Sequence, residues 1–276
     1  MPADSTIKMY AICMRKLNDD KIDIRKPADV FKWFEDKKFS ISTQKTYISA
    51  IQNTLGGESI KEYKDKISEI FDTIKKRESK QLLTDKQQDN FVKWDELLAV
   101  QKKLANMENK SDSKWRQYLV TSLYTLNAPV RADYGEMEVF PKYNKKRTGN
   151  ELIWKKTKPE FVFRVYKTAK GYGEVRIPLS KPLQKVVREW FDHLGGTPKY
   201  LLGDTPTSPN TLAVYILNTM RKHTGKEVGV SLIRHAYITH VYPTLKSLEQ
   251  KQKLARLMLH SAERQERYVS LKDMKD

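Results

Sequence analysis

Apolar positions in the first ninety residues recur at helical spacing. Ser5 and Thr6 read as capping residues before Ile7, Met9, Tyr10 and Ile12, which predicts a first helix. Val30, Phe31, Trp33 and Phe34 predict a short second helix. Residues 42–55 predict a third, ended by Gly56-Gly57. Ile67, Ile70, Phe71 and Ile74 follow the i, i+3, i+4, i+7 rule and place one apolar stripe on a further helix. Four or five short amphipathic helices predict a compact all-α domain over residues 1–84. From residue 79 to 90 the chain turns polar, and 85–91 reads as an exposed linker to a second domain at 92–276.

The second region opens on another apolar-periodic stretch, Val92, Trp94, Leu97 and Leu98. A longer helix follows at 115–126 and stops at Asn127-Ala128-Pro129. The period then changes from helical to alternating. Residues 152–154, 160–166 and 174–179 predict strands, the last two joined across the glycine-containing turn 168–173. Helices return at 181–194, 210–222, 233–242 and 245–259. The expected class is mainly α with a small β-sheet.

Charge sharpens this picture. The 276 residues carry 52 Lys+Arg against 34 Asp+Glu, a formal net charge of +18. Residues 1–90 hold 18 basic and 15 acidic side chains; residues 91–276 hold 34 and 19. The positive excess therefore belongs to the second region, where it is interleaved with aromatic and aliphatic residues. A field of that sign in a folded region attracts a polyanion, most commonly nucleic acid. The single cysteine, Cys13, excludes an intramolecular disulfide and a cysteine-rich metal site, and its apolar helical surroundings predict a packing role. No apolar run is long enough to span a membrane, and no signal-peptide core stands at the N-terminus. A soluble, intracellular protein without membrane association is expected.

Candidate chemistry lies in four pieces. Pro129-Val130-Arg131-Ala132-Asp133-Tyr134 follows a predicted helix, and Tyr166-Lys167-Thr168 lies at the mouth of the predicted hairpin. Ser231-Leu232-Ile233-Arg234-His235 opens a helix, and His260 precedes Tyr268. Arginine forks hold non-bridging phosphate oxygens by two-point contacts and stay charged at any relevant pH. A tyrosine hydroxyl attacks phosphorus only where its neighbours favour loss of its proton. Carboxylates at metal-ligand spacing are not seen, so neither a metal nor a cofactor is expected.

This order of residues resembles the catalytic domain of the tyrosine recombinases, or phage-type integrases. Their pattern is an arginine, a hairpin lysine, His-x-x-Arg, a histidine or tryptophan, and a tyrosine. The N-terminal helices look like that family's core-binding domain. The motifs Pro-x-Arg-x-Asp-Tyr, Tyr-Lys-Thr and Arg-His-x-Tyr look most similar to integrases of large DNA viruses, virophages and related eukaryotic mobile elements. The resemblance implies a helical DNA clamp followed by a mixed α/β catalytic domain, with duplex DNA held between them. It also implies self-association as a tetramer on two duplexes. Arg131 and Arg234 would clamp the scissile phosphate, Lys167 would protonate the leaving 5′ oxygen, His260 would hydrogen-bond the phosphate, and Tyr268 would take the 3′ phosphate covalently. The nucleus or a viral replication compartment would follow for a eukaryotic virus, and the cytoplasm otherwise.

Several positions depart from that pattern or remain alternatives. Ser231 stands where His-x-x-Arg has its histidine; a hydroxyl can donate to phosphate but cannot act as a base near neutral pH. Asp133 lies two residues after Arg131, where many members carry an acidic residue three after, and could orient that arginine. Lys170, three residues beyond Lys167 in the same turn, is the alternative general acid. Lys45 on the third predicted helix is a candidate for major-groove contact. A type IB topoisomerase, with similar arginine–lysine–tyrosine chemistry, and a non-catalytic DNA-binding relative are the alternative functions.

Overall fold

The computed structural model describes residues 4–56, 60–79 and 83–260. The chain forms two compact units, Met1–Lys80 and Gln81–Asp276. The first is all-helical: α1 (Asp4–Asp19), α2 (Pro27–Asp36), α3 (Ile41–Thr54) and α4 (Lys61–Ser79). Local signals start these helices. Pro27 supplies a pre-set φ in the first turn of α2, and the Ser40 hydroxyl accepts from Thr43 N at 3.2 Å to cap α3. Leu17, Val30, Phe34, Ile48 and Ile51 fill the core, and Cys13 is buried among them as expected. Trp33, Phe39 and Tyr47 pack ring on ring at 5.0–5.3 Å between centroids, while Trp33 Nε1 donates to Asp20 at 2.7 Å.

The second unit contains α5 (Asp85–Asp89), α6 (Trp94–Ala105), α7 (Asp112–Thr125), β1 (Glu138–Phe140), β2 (Glu151–Ile153), β3 (Glu160–Phe163), α8 (Ala169–Tyr172), β4 (Val175–Pro178), α9 (Lys181–His193), α10 (Pro209–Thr224), α11 (Val230–Val241) and α12 (Leu248–Leu257), with a 3-10 turn at Tyr242–Thr244. The sheet runs β1-β2-β3-β4; β1 pairs parallel to β2 and the other pairings are antiparallel. The chain is thus mainly α with a small mixed sheet. Helix α7 is buried at nine successive positions, 117–125, so it crosses the core with protein on every side. Its polar residues are absorbed internally, as where Gln101 donates to Ser122 Oγ at 3.2 Å.

The structure departs from the sequence reading in several places; Ser5 and Thr6, expected as caps, lie within α1. The polar stretch read as linker contains α5, closed by a capping box between Thr84 and Gln87. Asn90 Oδ1 accepts from Glu227 N at 2.6 Å, and Lys226 Nζ donates to Phe91 O at 2.7 Å, so this polarity serves contacts within the unit. Strand β1 had no alternating pattern long enough to reveal it. The strand expected over 160–166 ends at Phe163, and its turn folds into the single-turn α8. The helix expected over 245–259 begins at Leu248, where the Ser247 hydroxyl and Gln250 form a capping box.

Candidate active site

The segment after α7 is anchored on either side of Arg131 and Asp133. Val130 and Tyr134 are buried, and the Tyr134 ring meets Tyr124, Phe161 and Phe163 edge-on at 5.1–5.7 Å. Arg131 and Asp133 lie between these anchors and are half-buried. Tyr124 donates its hydroxyl to Arg131 O at 2.9 Å, which fixes the backbone that carries the guanidinium. A side chain at Gly135 would collide with the Thr207 carbonyl, so only glycine allows the chain to turn past that loop.

Arg234 sits one turn into α11 and is 1 % exposed. Its Nη1 donates to Pro129 O and to Met258 O, both at 3.1 Å. One guanidinium group therefore joins the Arg131 segment to the end of α12. Ser231, three residues earlier, is exposed at the start of the same helix. After α12 the chain closes with His260 N donating to Ala255 O at 3.1 Å, which places Leu259 at φ +55°. Glycine is the usual residue at such a left-handed cap. Leucine accepts the conformation here with its side chain buried in the main core.

The Leu259 carbonyl is the second junction. Arg131 Nη1 donates to it at 3.3 Å and Thr168 Oγ1 at 3.1 Å. Arg131, Arg234, the Tyr166-Lys167-Thr168 segment and His260 are thereby gathered around two consecutive carbonyls, those of Met258 and Leu259. His260 is 2 % exposed. Lys167 is exposed and lines a pocket of about 350 Å³ together with Asp133, Asn150 and Tyr166; Lys170, exposed on α8, does not line it. Lys45 belongs to the other unit, where its ammonium lies 4.2 Å from the Phe71 ring centroid. Tyr268 lies outside the described residues.

Electrostatics divides the titratable groups. Burial pushes the hydroxyls of Tyr124 and Tyr134 well up, despite the nearby Arg234 charge, so neither can supply a phenolate near neutral pH. Burial also raises Asp133 to about 6, against the opposing pull of Arg131 and Arg234, and its Oδ2 is sealed from solvent without a hydrogen-bond partner. Because the folded value lies above the unfolded one, Asp133 opposes folding once ionised. Its contribution should worsen as pH rises from about 4 to 6 and stay at that cost above 6. Asp133→Asn should therefore gain stability over wild type by up to about 3 kcal/mol at pH 7 and by little at pH 4. Melting curves of both proteins across that range measure the difference; a pH-independent difference would contradict this account of Asp133.

Two contributors were not singled out from sequence. Leu259 acts through its carbonyl, and backbone acceptors leave no trace in residue identity. Asn150 makes four side-chain hydrogen bonds beside the pocket, yet in sequence it is one polar residue after a glycine in a loop. Among the described residues no group of three or more His, Cys, Asp or Glu side chains could hold a metal ion. No described helix is long and apolar enough to cross a membrane.

No protein-family model matches the chain, and no curated protein matches it in sequence. Among solved structures, the chain is similar to a XerA recombinase at 15 % identity with a TM-score of 0.48. That alignment covers 99 % of this chain and 89 % of the other.

Proposed function

We propose that this chain is a tyrosine recombinase, a site-specific integrase that cleaves and rejoins DNA strands of a viral or mobile element through a 3′-phosphotyrosyl intermediate. The observation that carries this reading is the meeting of Arg131, Arg234 and Thr168, which neighbours Lys167, at the Met258 and Leu259 carbonyls. Two guanidinium groups fixed before the substrate arrives are suited to the charge of a pentacoordinate phosphorus, since no reorganisation is needed as that charge develops. Attack by the Tyr268 oxygen forms the O–P bond as the bond to the 5′ oxygen breaks. The tyrosine proton passes to solvent and Lys167 supplies a proton to the leaving oxygen, so the step is neutral in protons. His260 and Ser231 add hydrogen bonds to the phosphate. The excess of cations in 91–276 supplies sequence-independent affinity for the duplex, and recombination engages two duplexes through self-association.

The test uses nicked suicide duplexes carrying a site first selected by this protein from random-sequence DNA. A protein–DNA adduct resistant to detergent, sensitive to protease and formed in the presence of a chelator is expected. Binding without any adduct would favour the non-catalytic relative. An adduct with supercoil relaxation but no exchange between duplexes would favour a topoisomerase. A 5′-bridging sulfur then separates the two lysines, because a thiolate leaves without protonation. Lys167→Ala should lose about 100-fold or more on ordinary DNA and recover most of that on the sulfur substrate. Recovery seen with Lys170→Ala instead would transfer the role to Lys170.

A further inference from the structure

Asn150 lies immediately before β2, in the wall of the Lys167 pocket. Its Oδ1 accepts from Arg164 N and from Val165 N, both at 2.9 Å. Its Nδ2 donates to Val165 O at 2.9 Å and to Asp133 O at 3.3 Å. An amide side chain has two acceptor sites and two donor hydrogens, so its capacity is used in full. The two N–H donors on one atom also fix which end is oxygen. This side chain takes the place of a strand partner where β3 has ended, and holds the peptide that leads into Tyr166 and Lys167.

The same bonds close a ring through the site. From Arg131 the path runs by Leu259 O to Thr168, back through Lys167 and Tyr166 to Val165, across Asn150 to Asp133, and along the chain to Arg131. Lys167 is thus held on its N-terminal side by Asn150 and on its C-terminal side by Thr168. Both ties lead to the segment that carries Arg131.

We propose that Asn150 is a positioning residue that sets Lys167 in register with Arg131, so that proton delivery and phosphate binding occur at one phosphorus. This rests on the reading of Lys167 as the general acid. The surrounding sheet does not depend on the amide. Arg164 is held independently by Glu151 at 2.7 Å and by Glu174 at 2.7 Å, and Glu151 is paired with Arg147 at 2.7 Å as well. Removing the amide releases the step from Val165 to Lys167 and leaves this cluster in place.

The experiment compares the full-length wild type, Asn150→Ala and Lys167→Ala on suicide duplexes with a 5′-bridging oxygen or a 5′-bridging sulfur. With oxygen, the Tyr268 O–P bond forms, the P–O5′ bond breaks and O5′ takes its proton from Lys167; with sulfur, the leaving thiolate needs none. Misplacement of a catalytic group by about 1 Å costs about 100-fold. Asn150→Ala should lose about that much on the oxygen substrate, recover most of it on the sulfur substrate, and retain wild-type DNA affinity. The ratio of the two rates is independent of the fraction of protein that folds. Equal losses on both substrates, or no loss on oxygen, would overturn the proposal. Should Asn150→Ala yield no folded protein, Asn150→Ser decides it by the same ratio, because one short hydroxyl cannot replace all four bonds and brings no new charge beside Lys167. A wild type that forms no adduct, or a Lys167→Ala that sulfur does not rescue, would overturn the functional reading and this proposal with it. Rescue of Lys167→Ala alone would overturn only the role of Asn150.

Discussion

Tyr268→Phe is expected to abolish the covalent protein–DNA adduct while leaving DNA affinity and melting temperature at wild-type values. The substitution removes one oxygen and little volume. A tyrosine that serves only packing would show a small stability change with activity kept. Tyr124 and Tyr134 are poor substitutes, because burial holds both hydroxyls protonated. Tyr242 provides the control: it is half-buried in the 3-10 turn, with the Lys251 ammonium 4.6 Å from its ring centroid. Tyr242→Phe should leave adduct formation intact. Electrophoresis of the suicide-substrate reaction in detergent reads both results, and an adduct that persists in Tyr268→Phe would remove Tyr268 as the nucleophile.

Arg234→Ala is expected to lose cleavage by about 10³-fold and stability together, unlike Tyr268→Phe. The guanidinium is buried, and its Nη1 serves the carbonyls of Pro129 and Met258 at 3.1 Å. Deletion leaves both acceptors without that donor in a sealed place, a loss on the order of 3 kcal/mol. It also withdraws a fixed donor from the developing phosphorane charge, an effect of about 10²–10³-fold for one such group. Arg234→Lys separates these effects, because an ammonium keeps the charge but not the planar fork. It should recover part of the stability and little of the cleavage. Rates measured well below the melting temperature of each variant make the comparison, and wild-type cleavage by Arg234→Ala would end the phosphate-clamp assignment.

Much of the helical framework was legible because its signals are local. Ser40, Ser180 and Ser208 each accept from a backbone N–H and cap a helix that starts within one residue of its expected position, whereas Ser247 caps α12 three residues beyond the expected start. Leu183, Val186, Val187, Trp190 and Phe191 trace one stripe on α9 and are buried on that face. Helix α7 is different in kind. With nine successive residues buried it has no polar face to contrast, so its length was legible but its central place was not. Strand β1 depends on its parallel pairing with β2, a relation that three residues cannot announce by themselves.

The candidate site divides along the same physical line. Arg131, Lys167, Arg234 and His260 were picked out as a set, because charged and titratable side chains stand there in an order that resembles the tyrosine-recombinase pattern, while each alone is an ordinary residue. Their arrangement depends on groups without that distinction: the carbonyls of Met258 and Leu259, a left-handed Leu259, and the amide of Asn150. Residue identity and spacing carried the helical class, the basic second region and the set of candidate side chains. Which of those side chains meet follows from the fold, because backbone acceptors are chemically alike at every residue. Only packing chooses which of them a buried guanidinium or hydroxyl will reach.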